Sequence, residues 1–443
     1  MSHTAKAARW SLGVLAFVNL FNYLDRFVVS SLVESLKKSE LALTDGQLGS
    51  LASAFVLVYM AASPLFGAAG DRGRRPVLLA AGVAFWSVAT AAGALARSFG
   101  ALFSARAAVG VGEAAYGTIA PAMLLDLFPP ERRGRVFAIF FSAAPVGAAA
   151  GYIVGGLAEA RFGWRAAFGI AGLPGLLLAT LCLALPDPVR GGMELPSPQR
   201  SPAGKGRRAP RPAGPSLLEK RPSVAAGTEV RRGETSRPEG RYRRLLSNRP
   251  YVLTVAGYAA YTFALGALAF WMPAFLERVR GVPRSDATVQ FGLIAVVTGL
   301  FGTFAGGWIA DRWRSRRRQA DLWLSGWATM AAAPATLVAV TAERPSVYLP
   351  AIVAGQLLLF ASTGPVNAAA LKVVAPAERS TASGLLILAI HLFGDVPSPP
   401  LVGAISDATS LGRAFLILPA AIAVGGAIWL YAAWRGERLR TED

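Results

Sequence analysis

The chain lacks most of what catalysis and metal binding require. Cysteine occurs once, as Cys182 inside an apolar run, which excludes a disulfide framework and a cysteine-based metal centre. Histidine occurs twice, as His3 near the N-terminus and His391. No cluster with metal-ligand spacing exists, so no metal site is expected. A GxxxxGK[ST] phosphate loop is missing, so ATP drive is not encoded. No hydrolase or transferase constellation is found, so neither enzyme activity nor a cofactor is expected. Charge itself is scarce: 16% of the 443 residues are charged, where about 25% is usual for a soluble domain. Acid is scarcer than base, with 26 Asp and Glu against 45 Lys and Arg, a net +19.

Apolar residues fill the gap. They make up 53% of the chain, and mean hydropathy is +0.44. Run length divides them into roughly twelve spans, since about 20 apolar residues cross a bilayer as a helix. The spans fall near 10–35, 47–69, 76–96, 100–126, 133–158, 164–185, 250–276, 287–311, 320–341, 346–373, 381–406 and 413–435. The class is an all-α polytopic membrane protein. The first span runs straight into Asp25 and Arg26 without a small-residue cleavage site, so a cleavable signal peptide is not expected.

So basic a chain invites a nucleic-acid reading, but the charge sits in short loops and one linker. Arg72, Arg74 and Arg75 follow span two, Arg132, Arg133 and Arg135 follow span four, and Arg312 to Arg318 follow span eight. That is the positive-inside distribution. The bilayer is the expected partner, nucleic acid is not, and both termini are expected to be cytoplasmic. The bias is incomplete, because Lys37, Lys38, Arg97, Arg161, Arg278, Arg280, Arg284, Arg344 and Arg413 fall on the other side.

Three regions follow: a six-span half over 1–186, a basic Pro- and Gly-rich linker over 187–246, and a second six-span half over 247–443. The linker has no periodic apolar face and reads as largely disordered, with a surface helix at Leu245 and Leu246 leading into span seven. The halves repeat. Gly67-x-x-x-Asp71-Arg72 recurs as Gly307-x-x-x-Asp311-Arg312, and Pro129-x-Glu131-Arg132 as Pro376-x-Glu378-Arg379. In the second register Gly147 matches Gly394 and Gly156 matches Gly403. Two parallel six-helix halves joined by a polar linker resemble the major facilitator superfamily.

Charges inside spans mark function, because each costs roughly 2.5–3.5 kcal/mol at mid-membrane. Span four carries Arg106 and Glu113 seven residues apart, nearly two turns, hence on one face with Tyr116. Gly110 and Gly112 leave room there for a neighbouring helix. Span one carries Asn19, Asn22 and Arg26 as a polar stripe bordered by Asp25. Span seven offers Tyr258 and Tyr261 as cavity-lining candidates. Span eleven places His391 and Asp395 at i and i+4, before Pro397, Pro399 and Pro400. Arg26 and Arg106 suit an anionic group. Glu113, then Asp25, then His391 are the expected proton carriers. Asp71, Arg72, Asp311 and Arg312 are expected to gate the cytoplasmic side, with the motif glycines letting helices pack closely.

The run NYLDR at 22–26, RAAVGVGEAAYGTIAP at 106–121, AIFFSAAPVGAAAGYIVGG at 138–156 and the stretch from His391 to Asp407 resemble the spinster family. The resemblance covers both halves, and two departures stand out: Gly73-Arg74-Arg75-Pro76 after span two, and the length of the linker. It implies alternating-access transport of a lysophospholipid or sphingosine-1-phosphate-like molecule, proton-coupled in some members. It puts Asp25, Arg26, Arg106, Glu113 and His391 at the family's functional polar positions and Tyr152 in the cavity. The competing expectations are a proton-coupled organic-anion symporter of the hexuronate or phthalate kind, and a non-transporting receptor or scaffold. A monomer in the inner cell membrane is expected.

Overall fold

A computed structural model of the protein describes residues 3–193, 238–375 and 378–438. Most of the expected linker, and Pro376 of the repeat, lie outside them. Among the described residues there is no β-strand. Within a bilayer that is what backbone hydrogen bonding demands, since only a helix satisfies its own amides locally.

The first half contains α1 (His3–Ser31), α2 (Val33–Lys38), α3 (Asp45–Arg72), α4 (Arg75–Gly93), α5 (Phe99–Leu127), α6 (Pro130–Gly172) and α7 (Pro174–Leu183). A short helix, α8 (Pro238–Ser247), falls where the sequence suggests one. The second half contains α9 (Arg249–Arg278), α10 (Arg284–Arg314), α11 (Ala320–Thr341), α12 (Pro345–Lys372), α13 (Arg379–Ile390), α14 (Ser398–Ala408), α15 (Leu411–Ala414) and α16 (Ile417–Arg438). Polar caps set several starts. Thr44 and Gln47 form a reciprocal capping box on α3, and Ser98 and Asn248 cap α5 and α9.

Eleven helical stretches among the described residues are long and apolar enough to cross a membrane. One of them, Glu131–Leu183, has 53 residues. At 1.5 Å per residue it would reach about 80 Å, against a hydrocarbon core of roughly 30 Å. It is two passes. Gly163 breaks it with φ 80°, a backbone that strains residues with a side chain but not glycine. The expected twelve spans are therefore present. Span eleven is interrupted earlier than its prolines suggest: a wide π-helical turn occupies His391–Asp395 between α13 and α14.

Within the first half α1 packs on α6, α3 on α5, and α4 on α5 and α7. In the second, α9 packs on the π-turn, α10 on α12, and α11 on α12 and α16. The halves meet along two seams, α6 with α10 and α3 with α14. The sequence repeat becomes spatial here. A methyl group on Gly147 would strike Leu20 of α1, and one on Gly394 would strike Thr262 of α9. Gly156 faces Thr288 across one seam, and Gly403 faces the Asp45 backbone across the other. The two motif glycines behave differently from expectation: at Gly67 and Gly307 an added methyl meets open space. Gly110 and Gly112 do admit neighbours, α3 and α4 respectively.

The repeat also conserves a charge pair with its sign reversed. Arg75 at the start of α4 pairs with Asp126 near the end of α5. Asp321 at the start of α11 pairs with Lys372 at the end of α12. Lys372 is thus tied to its own half.

Twelve passes return the chain to the face where it begins, the terminal face; the other is the distal face. At the distal face ion pairs join the halves. Arg278 holds Glu34 and, at 2.5 Å, Asp45; Arg284 holds Glu159 at 2.5 Å; Lys38 reaches Glu277 at 3.4 Å. Asp407 accepts from the Asp45 and Gly46 amides, both at 2.8 Å. Four of the basic residues that blur the positive-inside pattern are thereby explained: Lys37, Lys38, Arg278 and Arg284 are neutralised by Glu34, Asp45, Glu159 and Glu277, whereas Arg280 donates to the Ala339 and Val340 carbonyls instead.

Candidate functional site

Between the halves lies a cavity of about 400 Å³. Arg26, Arg106, Tyr59, Phe55, His391 and Asp395 are among its walls. The distal ion pairs, the indole of Trp271 donating to the Pro399 carbonyl at 2.9 Å, and Ser53 donating to Val396 close its distal side.

The intramembrane charges pair across helices rather than along one. Helix spacing puts Arg106 and Glu113 on one face, but seven residues also separate them by about 10.5 Å along the axis. Glu113 instead takes Arg26 of α1, Nη2 to Oε2 at 3.0 Å. Arg106 faces Asp25 at 3.8 Å, an ion-pair distance beyond that of a good hydrogen bond. The other Asp25 oxygen accepts from Thr90 of α4, which the sequence reading missed. Hydrogen bonding in the pair of pairs is incomplete. Nε and Nη1 of Arg106, Nε of Arg26, Oδ1 of Asp25 and Oε1 of Glu113 are buried without a hydrogen-bond partner among the described residues.

The order of burial matters. Glu113 is 0% exposed and Asp25 1%, and neither lines the cavity, whereas Arg26 is 27% exposed and does. The carboxylates lie behind the Arg26 guanidinium, while Arg106, 3% exposed, reaches the cavity wall from almost the same depth as Asp25. The Arg26 guanidinium also sits 4.6 Å from the Phe55 ring centre, 5.0 Å from Tyr23 and 5.6 Å from Tyr59. Such stacking holds a cation in a dry site without consuming its donors. Of these rings only Tyr23 adjoins a charged run in the sequence; Phe55 and Tyr59 come from an uncharged stretch of α3.

On the opposite wall Nδ1 of His391 lies 2.9 and 3.0 Å from the two Asp395 oxygens. The expected i, i+4 pair forms, on the π-turn. Thr262 of α9 donates to the Ile390 carbonyl at 3.0 Å beside it.

The tyrosines are placed differently. Tyr116 is among the residues lining the cavity but is almost fully buried, and its hydroxyl donates to the Leu15 carbonyl. Tyr152 lies outside the cavity wall; its hydroxyl donates to Ala269 of the other half at 2.6 Å, and its ring packs between Phe27 and Phe291. Tyr258 and Tyr261 also lie outside it. Tyr258 accepts from Asn367 at 2.9 Å, Tyr261 donates to Leu359 at 2.9 Å, and both pack on Trp429. Here the span-seven stripe is core. Of the expected gate residues, Asp71 and Arg72 are exposed, Asp311 pairs with Arg314 of its own helix, and Arg312 stacks on Trp308. No group of three or more His, Cys, Asp or Glu residues suited to a metal occurs among the described residues.

Comparison with known proteins agrees with this architecture. Residues 15–394 match the family model described as Major Facilitator Superfamily. The protein spinster of Drosophila melanogaster is 32% identical over 419 residues, 92% of this chain and 63% of that one; this chain thus spans under two thirds of the fly protein's length. Protein spinster homolog 3 of Danio rerio is 32% identical over 419 residues, 90% of this chain and 77% of that one. Among solved structures, a bacterial homologue of the human lysosomal transporter spinster, inward-facing and unoccupied, superposes with a TM-score of 0.80 at 21% identity, covering 98% of both chains.

Proposed function

The chain belongs to the major facilitator superfamily and, within it, to the spinster proteins, and from that premise we propose a proton-coupled transporter of an amphipathic anionic lipid, such as a lysophospholipid or a sphingosine-1-phosphate-like molecule. The family is one of transporters, not enzymes.

One observation carries the substrate class. Two guanidiniums front a cavity whose other walls include Phe27, Phe55, Phe141, Phe270 and Ile387. An anionic head gains charge-assisted bonds from the arginine forks, and an apolar tail finds apolar walls. The buried carboxylates supply coupling. Glu113 holds Arg26 and Asp25 faces Arg106. A proton on either carboxylate releases an arginine toward the cavity; an anion on the arginine leaves the carboxylate to take up a proton. Because the two events share one ion-pair network, each favours the other by the same factor. His391 is the third candidate proton carrier. Alternating access follows if the distal pairs break as the terminal side closes around Asp71, Arg72, Asp311 and Arg312. The basic loops favour a cytoplasmic terminal face, hence an inward-facing state of a monomer in the inner cell membrane.

The deciding experiment is transport in proteoliposomes at two pH values, with labelled lysolipids against small organic acids. Lysolipid accumulation that follows the proton gradient is the expected result. Accumulation of hexuronate- or phthalate-like acids alone moves the assignment to an organic-anion symporter. Binding of a partner protein with no transport moves it to a receptor.

A further inference from the structure

A second cavity, of about 740 Å³, opens at the terminal face, and it shares no lining residue with the central one. Its charged walls are Arg316, Arg317 and Arg318 of the α10–α11 connection, with Asp321, Lys372 and Glu437. Both carboxylates are already engaged. Asp321 takes Arg314 at 2.7 Å and also Lys372. Glu437 takes Arg317 at 3.4 Å and the Trp323 indole at 2.9 Å. Arg316 and Arg318, both exposed, have no carboxylate within ion-pair distance among the described residues. The cavity therefore holds two unneutralised guanidiniums beside two neutralised bases.

Its depth is marked by aromatic side chains. Trp308, Tyr431 and Trp434 are exposed near the ends of α10 and α16, as in the belts that sit at the level of lipid headgroups. Arg312 stacks on Trp308 at 4.9 Å and Arg438 on Trp434 at 4.4 Å. These rings put the ends of α10 and α16, and with them the cavity, near the plane where lipid phosphates lie.

We propose that this cavity binds a phosphate group at headgroup depth, that of an anionic phospholipid or a free phosphate. Guanidinium forks match phosphate oxygens in pairs, and, resting on the cytoplasmic terminal face proposed above, basic pockets between membrane helices on the cytoplasmic side take anionic headgroups. The site is separate from the transport cavity, so its occupation is not transport.

The test uses the full chain in detergent. Retention of phosphatidylglycerol against phosphatidylcholine is read by native mass spectrometry, and inorganic phosphate is titrated by calorimetry. If the source is lipid, phosphatidylglycerol is retained preferentially, and Arg316→Gln with Arg318→Gln weakens that retention about tenfold. Glu437→Gln, which frees Arg317, strengthens it. If the source is free phosphate, saturable phosphate binding is lost in the double variant and lipid preference is missing. Retention or phosphate binding that is the same in the wild type and both variants overturns the proposal, as does binding of neither probe. Transport is not a readout, so this result and that of the transport reading stand apart.

Discussion

Arg26 and Glu113 pair at 3.0 Å across α1 and α5, although Glu113 shares a helix face with Arg106. The pairing makes α1 the partner of both span-four charges, because Asp25 faces Arg106. Adjacent residues on one helix thus hold charges two turns apart on another. Any proton or substrate that breaks one pair acts between α1 and α5, both in the first half.

Coupling through Glu113 predicts a split phenotype. Glu113→Gln should lose accumulation driven by a proton gradient while keeping most counterflow, which needs no gradient. The measurement is the two assays in parallel on reconstituted protein. If a gradient still drives accumulation, Asp25 or His391 must carry the proton.

Arg106→Lys keeps the charge and removes the fork. Affinity for an anionic substrate should fall about tenfold, or about 1.4 kcal/mol. Binding measured on purified protein decides it. Affinity and transport like the wild type would reduce Arg106 to a structural partner of Asp25.

The distal cluster should hold one conformation. Arg278→Ala leaves buried Glu34 ion-paired only with Lys38, at 4.0 Å, and buried Asp45 only with Lys37, at 2.7 Å, and a buried charge that loses a partner is costly. The population should shift by about tenfold or more toward a distally open state. A cysteine at Ser53, on the seam under the cluster, should then react faster with a thiol reagent from the distal side. Asp71→Asn acts at the other face, so it should slow cycling without speeding that reaction or weakening binding in a locked state. Equal labelling in Arg278→Ala and wild type would remove the gate assignment.

Glycine at the seams should be selective by position. Gly403→Ala places a methyl against the Asp45 backbone, whereas Gly307→Ala meets open space. Overpacking of this kind costs about 1–3 kcal/mol, so Gly403→Ala should cut transport roughly tenfold or more by preventing distal closure. Gly307→Ala should change it little in the state described. Transport rates of the two variants at matched expression test this, and equal loss in both would contradict it.

Span number, the two halves, the short helix before α9 and the charged residues that lie inside spans were all legible in the sequence. Each rests on a local rule: apolar run length against bilayer thickness, loop charge, or a polar residue where lipid penalises it. Helix periodicity likewise gave Arg106, Glu113 and Tyr116 a common face. What it could not give was the partner, because a shared face says nothing of axial distance or of which helix lies opposite. Thr90 beside Asp25, the tyrosine hydroxyls taken by Leu15, Ala269 and Leu359, and the distal pairs joining Glu34, Asp45 and Glu159 to Arg278 and Arg284 all link residues far apart in the chain. Composition alone specified a basic, helical membrane chain. The packing of α1 on α6, α3 on α5 and the two halves on each other decided which charges neutralise one another and which two arginines face the cavity, because in a medium without water a charge takes the partner that packing brings to it.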